Sequence, residues 1–413
     1  MQTPVRLAIV GGRRGGAFAR ALADLPQTAV LVAICDRNDA VLAAWRERAP
    51  EARQFLTYGD LLEWGEFDAV VLATPVPDHA PQALQAIEAG KHVLTEVVAA
   101  TTLDECWALV EAVERTGVTY MMAENYCYMR PNMMVLHMVR RGLFGEITHA
   151  EGAYIHDTRD LAFTPEGELT WRGKLHRRYN RNRYPTHSLG PVAQWLGILR
   201  EGGDAFESTA TFVSNPVNLR RYAAERFGAD HPAASPNYWQ QGDSSVSLIR
   251  TVRGALIVLR VDSCSPRPHN MTHYALQGST ASYLSARHGG EDPLIWIEGR
   301  SPGKSPTWEP LWRYADEFEH PRWRRWGEQA RRAGHGGGDF FVLADFVDAV
   351  RRGVPPPIDV YDAVTWSSIV PLSELSVARG GAPVAVPDFA RGRRRPWEPI
   401  ETTTAGTEGG SSP

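Results

Sequence analysis

Cysteine is scarce in this chain: Cys35, Cys106, Cys127 and Cys264 are the only four, and they stand far apart. None is spaced with another Cys or a His as zinc ligands are, and nothing indicates a disulfide framework. Reduced, mostly buried thiols are expected, with no metal site. Long apolar runs are missing too. No stretch reaches the roughly 20 apolar residues of a membrane span, so no membrane partner is expected. Surplus charge is also lacking. Lys and Arg number 44 against 48 Asp and Glu, a net charge of −4, which gives no reason to expect nucleic acid or an anionic surface as a partner. The clusters RRWGEQARR and RGRRR read as solvated faces. The first residues run straight into a strand-like VRLAIVGG, without room for a basic segment and a cleavable apolar core. A cytoplasmic protein is expected.

What is present is organised as alternating strands and helices. The 413 residues are enough for two or three domains with a sizeable core. Val5 to Val10 is a continuous apolar run, the pattern of a strand buried on both faces. It ends in Gly11-Gly12-Arg13-Arg14-Gly15-Gly16, the helix-like AFARALADL follows, and a second apolar run, AVLVAICD, ends at Asp36. Strand, glycine turn, helix, strand and acid in that order form a dinucleotide fingerprint. Glycines let the backbone approach a pyrophosphate, whose charge lies on the helix N-terminus. The middle glycine of G-x-G-x-x-G is replaced by Arg13. Asp36 stands where a carboxylate takes ribose hydroxyls and repels a 2′-phosphate, favouring NAD over NADP, although the adjacent Arg37 weakens that preference. Three more strands are expected at Phe67 to Ala73, His92 to Thr95 and VTYMMAEN, with a helix from Ala80 to Ala89 stopped by Gly90. Thr102 and Glu105 form a capping box for another. Ligands bind at the carboxyl ends of such strands, which marks Thr74, Val76, Asp78, His79, Glu96, Val97 and Asn125 as a rim around a nicotinamide.

After Asn125 the pattern changes to β-rich runs such as SVSLIRTVRGALIVLRVDS. The fold class is therefore α/β: an N-terminal Rossmann domain with a parallel sheet at 1–125, and a C-terminal α+β domain at 126–400 with an open, largely antiparallel sheet packed on helices. A polar, low-complexity tail, expected to be disordered, fills 401–413. Within the second half, Tyr184-Pro185-Thr186-His187 sets a phenol and an imidazole three residues apart across a stiff turn, which can point both into one pocket. The plainer reading is a loop whose His caps a helix and whose Tyr packs.

AGKHV followed by Glu96, a capped helix and a strand ending in Asn125 resembles the Gfo/Idh/MocA oxidoreductases. The Glu-Lys-Pro usual there reads Glu96-Val97-Val98, and the Asp usually four residues before the catalytic His falls at Arg183, so only His187 of three typical groups remains. EVVAATT, AENYCY, MMVLHMVRRGLFGE, GAYIHD, YPTHSLGPVAQWL, GHGGGDF and DVYDAVTWS together resemble glycoside hydrolase family 109, the NAD-dependent retaining glycosidases whose known activity is α-N-acetylgalactosaminidase. The likeness runs from the first strand to about Arg394, with departures at Val98, Gly338 and His269. The last lies where the family tends to have a Tyr in the sugar pocket.

That resemblance implies a route for a chain in which no carboxylate pair for direct glycoside hydrolysis stands out. NAD⁺ oxidises C3 of the sugar, the ketone makes the C2 proton removable, its loss expels the C1 substituent, water adds back, and C3 is reduced again. His187 suits the C3 hydroxyl proton. Tyr184 or Tyr154 suits the C2 proton if a neighbouring cation lowers its pKa, and Arg172 is a candidate for that cation. By resemblance Tyr154, Arg172, Tyr184, Pro185, Thr186, His187 and His269 line the sugar site, and Tyr184 also touches the cofactor. His335 and Asp339 are candidates for holding the two halves together. The expected partner is a small glycoside, and by resemblance a second copy of the chain. A net sugar dehydrogenase releasing NADH and a non-catalytic NAD-binding protein are the alternatives.

Overall fold

The computed structural model describes residues 3–268, 270–304 and 306–398. Two sheets organise them. The first runs β3-β2-β1-β4-β5-β6, all parallel, from β1 (Val5–Val10), β2 (Ala29–Cys35), β3 (Arg53–Phe55), β4 (Ala69–Leu72), β5 (His92–Thr95) and β6 (Tyr120–Met122). This is the dinucleotide-binding order, with its switch point between β1 and β4. Helices cover both faces, which is why these strands are apolar throughout: Leu7, Ile9, Val70 and Leu94 are all buried. The sheet is of the Rossmann type, as the sequence indicated. The expected helix from Ala80 begins earlier, at Val76, and runs to Glu88. Pro77 falls in its first turn, where a missing N–H costs nothing. The Thr102–Glu105 capping box is present.

The second sheet has nine strands in the order β14-β13-β12-β11-β7-β10-β9-β8-β15. Its members are β7 (Ile147–Ile155), β8 (Phe206–Val213), β9 (Ser244–Thr251), β10 (Leu256–Asp262), β11 (Asn270–Gly278), β12 (Ala281–Leu284), β13 (Leu294–Ile297), β14 (Glu309–Pro310) and β15 (Val384–Ala385). Every neighbouring pair is antiparallel except β7 and β10. The segment between β8 and β9 contains the helix Asn218–Phe227, which the sequence reading leaves unassigned. One sheet face packs on helices: Ile249, Ile257 and Leu259 are buried, while Phe212, Leu248 and Leu256 on the other face are exposed. The chain then returns to the first sheet. The helix Gly338–Arg352 lies against the helix Gly12–Leu22, and Val360–Ser367 against Leu103–Thr116. One continuous apolar core therefore joins residues of both halves. All four cysteines are buried and free. No helix among the described residues is long and apolar enough to cross a membrane. The tail at 401–413 and His269 lie outside the described residues.

Candidate functional site

The cofactor side is built by the turn after β1. Gly11 has φ +92, and a Cβ there would meet the Ala73 carbonyl oxygen at 2.4 Å. A Cβ on Gly15 would fall 2.3 Å from Ile9 Cγ2, so the helix lies directly on β1. The side chain of Arg13 points to solvent, which explains why the fingerprint tolerates it. Asp36 sits at the end of β2 with Oδ2 accepting from the Gly12 N–H (2.8 Å) and Oδ1 from the Asn38 N–H (2.9 Å). Both oxygens keep lone pairs for ribose hydroxyls. A side-chain-free turn at a helix N-terminus with an anchored carboxylate at the next strand fits a dinucleotide: the Gly11–Gly12 backbone would hold its pyrophosphate and Asp36 its ribose.

The rim residues divide into two groups. His79 is buried with Nδ1 2.8 Å from the Val98 carbonyl oxygen and Nε2 2.8 Å from that of Thr74, so it bolts two loops together instead of facing a ligand. Thr74 Oγ1 donates to Gln82 Oε1 at 2.7 Å. Asp78 stands in the first helical turn. Val97 and Val98 are buried and joined by a cis peptide. Val76 and Val98 form an apolar patch with Val370, on which Trp171 and Tyr184 pack. The second group is charged. Arg14 pairs with Glu96 (2.5 Å) and bidentately with Asp339 (2.8 and 3.1 Å). Asp339 also accepts from Asn125 Nδ2 (2.9 Å) and His335 Nδ1 (3.0 Å). Burial acts to raise the Asp339 pKa, but hydrogen bonds from His335 and Arg14 outweigh it and hold the carboxyl well below its ordinary range. Asp339 thus links the glycine turn, the end of β6 and the returning C-terminal helix.

On the sugar side, Pro185 precedes the helix Thr186–Trp195 and His187 lies in its first turn. The imidazole is buried, and Nδ1 is 2.7 Å from Glu124 Oε1. A carboxylate only accepts, so Nδ1 is the donor and the proton-free position of the neutral ring is Nε2. Glu124 is fully buried and also accepts from the Tyr126 N–H at 3.2 Å. The Tyr126 ring stacks on His187 (centroids 3.9 Å apart, planes within 6°), while the rings of Tyr154 and Tyr184 lie 5.2 and 5.1 Å away. Tyr274 donates to the His187 carbonyl. A Cβ on Gly152 of β7 would sit 2.0 Å from the Ser188 oxygen, so the strand carrying Tyr154 is pressed against the helix carrying His187.

Tyr154, Arg172 and Tyr184 line one pocket together with Trp171, His156 and Arg183. Pro185, Thr186 and His187 do not line it, although the rings of Tyr154 and Tyr184, which do, lie against the His187 imidazole. Pro185 and Thr186 are buried in the start of the helix, because the turn they make is internal to the packing of that helix. The sequence reading asks for a phenol brought down by a cation. Burial wins instead: it pushes Tyr154 up to about 12 although Arg183 and Arg172 pull the other way, and it pushes Tyr184 well above its ordinary value. Two groups escape sequence reasoning. Glu124 reads only as the end of a strand, and its partner is 63 positions away. Arg183 registers there only as a missing Asp. The signal available was the Arg181-Asn182-Arg183 run directly before Tyr184 in RNRYPTH.

Residues 5–124 match the oxidoreductase family with the NAD-binding Rossmann fold. Residues 128–396 match the C-terminal domain of glycosyl hydrolase 109. A glycosyl hydrolase family 109 protein of Solibacter usitatus is 38% identical over 409 residues, covering 96% of this chain and 90% of that one. One from Stenotrophomonas maltophilia is 37% identical, covering 96% and 91%. Among solved structures, levoglucosan dehydrogenase in complex with NADH and L-sorbose superposes with a TM-score of 0.75 at 18% identity, over 94% of this chain and all of that one, a likeness of fold. With the glycine turn, Asp36 and the His187 cluster carried on that fold, the chain belongs to glycosyl hydrolase family 109, as an NAD-using enzyme of the Gfo/Idh/MocA architecture.

Proposed function

We propose that this enzyme is a retaining glycosidase that releases an α-linked N-acetylgalactosamine or a related sugar by elimination and readdition, with no net oxidation. The observation that supports it best is the buried Glu124–His187 contact beneath the rings of Tyr154 and Tyr184. Bound NAD⁺ supplies the transient oxidation of C3 and its reversal. Glu124 fixes the His187 tautomer, and Nε2 takes the C3 hydroxyl proton and later returns it. Once C3 is a ketone, a phenolate takes the C2 proton. The freed pair forms the C1–C2 double bond and the C1–O bond to the aglycone breaks. Water then adds to C1, C2 regains its proton, and both ends of the cycle match. Tyr154 is the better base, because Arg183 and Arg172 both offset its burial, whereas at Tyr184 the charges of Glu96 and Glu124 add to burial.

One observation favours a second reading, a sugar C3 dehydrogenase that releases NADH: neither phenol is brought below its ordinary value, so proton removal at C2 is the step with least support. Chromogenic α- and β-glycosides incubated with NAD⁺ in heavy water separate the two. Aglycone release with deuterium at C2 is the glycosidase result; accumulating NADH absorbance without aglycone release is the dehydrogenase result. The exposed Phe212, Leu248 and Leu256 on the outer face of β8–β10 also support a homo-oligomer, which light scattering of the purified protein tests.

A further inference from the structure

The pocket beside His187 is unusual in its charge. Its lining includes Arg172, Arg181 and Arg183 and no Asp or Glu. Arg181 is neutralised by Glu374 at 2.9 Å. Arg172 and Arg183 have no such counter-ion among the described residues. Arg183 donates to the neutral Ser263 hydroxyl, and the Arg172 guanidinium lies 4.3 Å from the centre of the Trp171 ring. The carboxylate acting on Arg172 is Asp160, an exposed residue outside the lining. Both guanidiniums are half-buried. Burial lowers the pKa of each, and the like charge of Arg172 lowers that of Arg183 further. Holding two like charges against one cavity is unfavourable unless something anionic comes between them.

Burial keeps the lining phenols of Tyr154 and Tyr184 above their ordinary pKa, so neither supplies a negative charge to the pair at neutral pH. The cofactor does not account for the pair either. Its pyrophosphate belongs at the Gly11 turn, whereas Arg172 is on the helix Trp171–Arg178 and Arg183 immediately precedes Tyr184.

We propose that the sugar this enzyme takes carries an anionic group, a carboxylate or a sulfate ester, received by Arg172 and Arg183. The proposal rests on the glycosidase reading only for where the sugar lies. A planar guanidinium with several donors suits the oxygens of either group. Arg172 and Arg183 then act as specificity residues. Filling the site with an anion also turns two mutually repelling charges into a paired set.

The test compares three sugars in both the galacto and gluco series: the neutral hexose, its uronic acid and its sulfate ester at C6. NAD⁺-loaded protein is titrated calorimetrically with each free sugar, and the nitrophenyl α-glycoside of each is assayed for release. The expected result is at least about tenfold tighter binding of one anionic form than of its neutral counterpart, with the preferred form telling carboxylate from sulfate. That preference should shrink with added salt, fall most of the way to unity in Arg183→Gln, and survive in part in Arg183→Lys. Melting temperature and NAD⁺ affinity report whether the variants fold, and the wild-type preference stands without them. Equal or tighter binding of the neutral sugars, or a preference that Arg183→Gln leaves intact, overturns the proposal. Charge-selective binding without release from any glycoside keeps it and removes the glycosidase reading; release from neutral glycosides with no charge preference does the reverse.

Discussion

At the scale of single residues, the site depends on a carboxylate orienting an imidazole. Glu124→Gln keeps the shape but replaces an acceptor-only group with one that can present an NH₂ to Nδ1, allowing the wrong tautomer. A loss in kcat of about 10²- to 10⁴-fold is expected, with NAD⁺ affinity retained; activity within a factor of two of wild type would show that Glu124 does not orient the base. Tyr154 makes a prediction in pH. Its phenol is pushed up to about 12 by burial, and the phenolate is the reactive form, so its population grows as pH rises through the neutral range. The C2-exchange rate should therefore climb with pH, by up to about tenfold per unit where this step limits the rate. Tyr154→Phe should abolish that limb, and a profile unchanged by the substitution would assign the base elsewhere. These features differ in how far they can be read without coordinates. Gly11 and Asp36 are legible because turn, helix and strand are consecutive in the chain. The Glu124–His187 pair is not, because it joins the end of one sheet to a helix packed on the other.

At the scale of elements, Asp339 does the joining. It sits in the helix Gly338–Arg352 and receives Arg14 from the first helix and Asn125 from beyond β6. Asp339→Ala leaves the half-buried Arg14 and the buried Asn125 underpaired, and a loss of about 3–5 kcal/mol is expected, measurable as a lower urea midpoint together with weaker NAD⁺ binding. An unchanged midpoint would mean that Glu96 alone suffices for Arg14. The sequence pattern His335-Gly-Gly-Gly-Asp339 is readable as a motif, yet the partners it ties are more than 200 positions away, so spacing carries no trace of them. Pro77 shows the opposite limitation. It is visible in the sequence, but whether a proline ends a helix or starts one depends on which N–H groups are already unpaired.

For the whole molecule, the buried histidines set the acid limit. Burial first, then Arg322, His137 and Arg140, press His320 down to about 3, and burial holds His176 well below its ordinary value. Both are neutral when folded and titrate near 6.5 when unfolded. The stability they contribute is complete above that pH and is lost as pH falls from about 6.5 towards the folded value, by up to about 1.4 kcal/mol per unit for each. Protonation also removes the acceptor through which His320 Nδ1 caps the Arg322 N–H. Urea midpoints should drop between about pH 7 and pH 5, before most carboxylates titrate; a flat midpoint over that window would contradict it. The parallel sheet was legible at this scale because both faces of its strands are apolar. The nine-stranded order was not, since it depends on which distant strands find β7.

The position of β7 also governs when the catalytic half can exist. Its two neighbours are β10 and β11, and Tyr154 pairs with Val261, more than a hundred positions later. Until synthesis passes that point, the strand holding Tyr154 has no edge to join, although the consecutive elements of the first sheet can already assemble. A nascent or truncated chain ending before β10 would thus carry the first sheet without the strand pairing that holds Tyr154 in place. Closing such distant pairs is slow, so cofactor retention should appear during refolding ahead of turnover, with the lag between them timing the arrival of β10 beside β7.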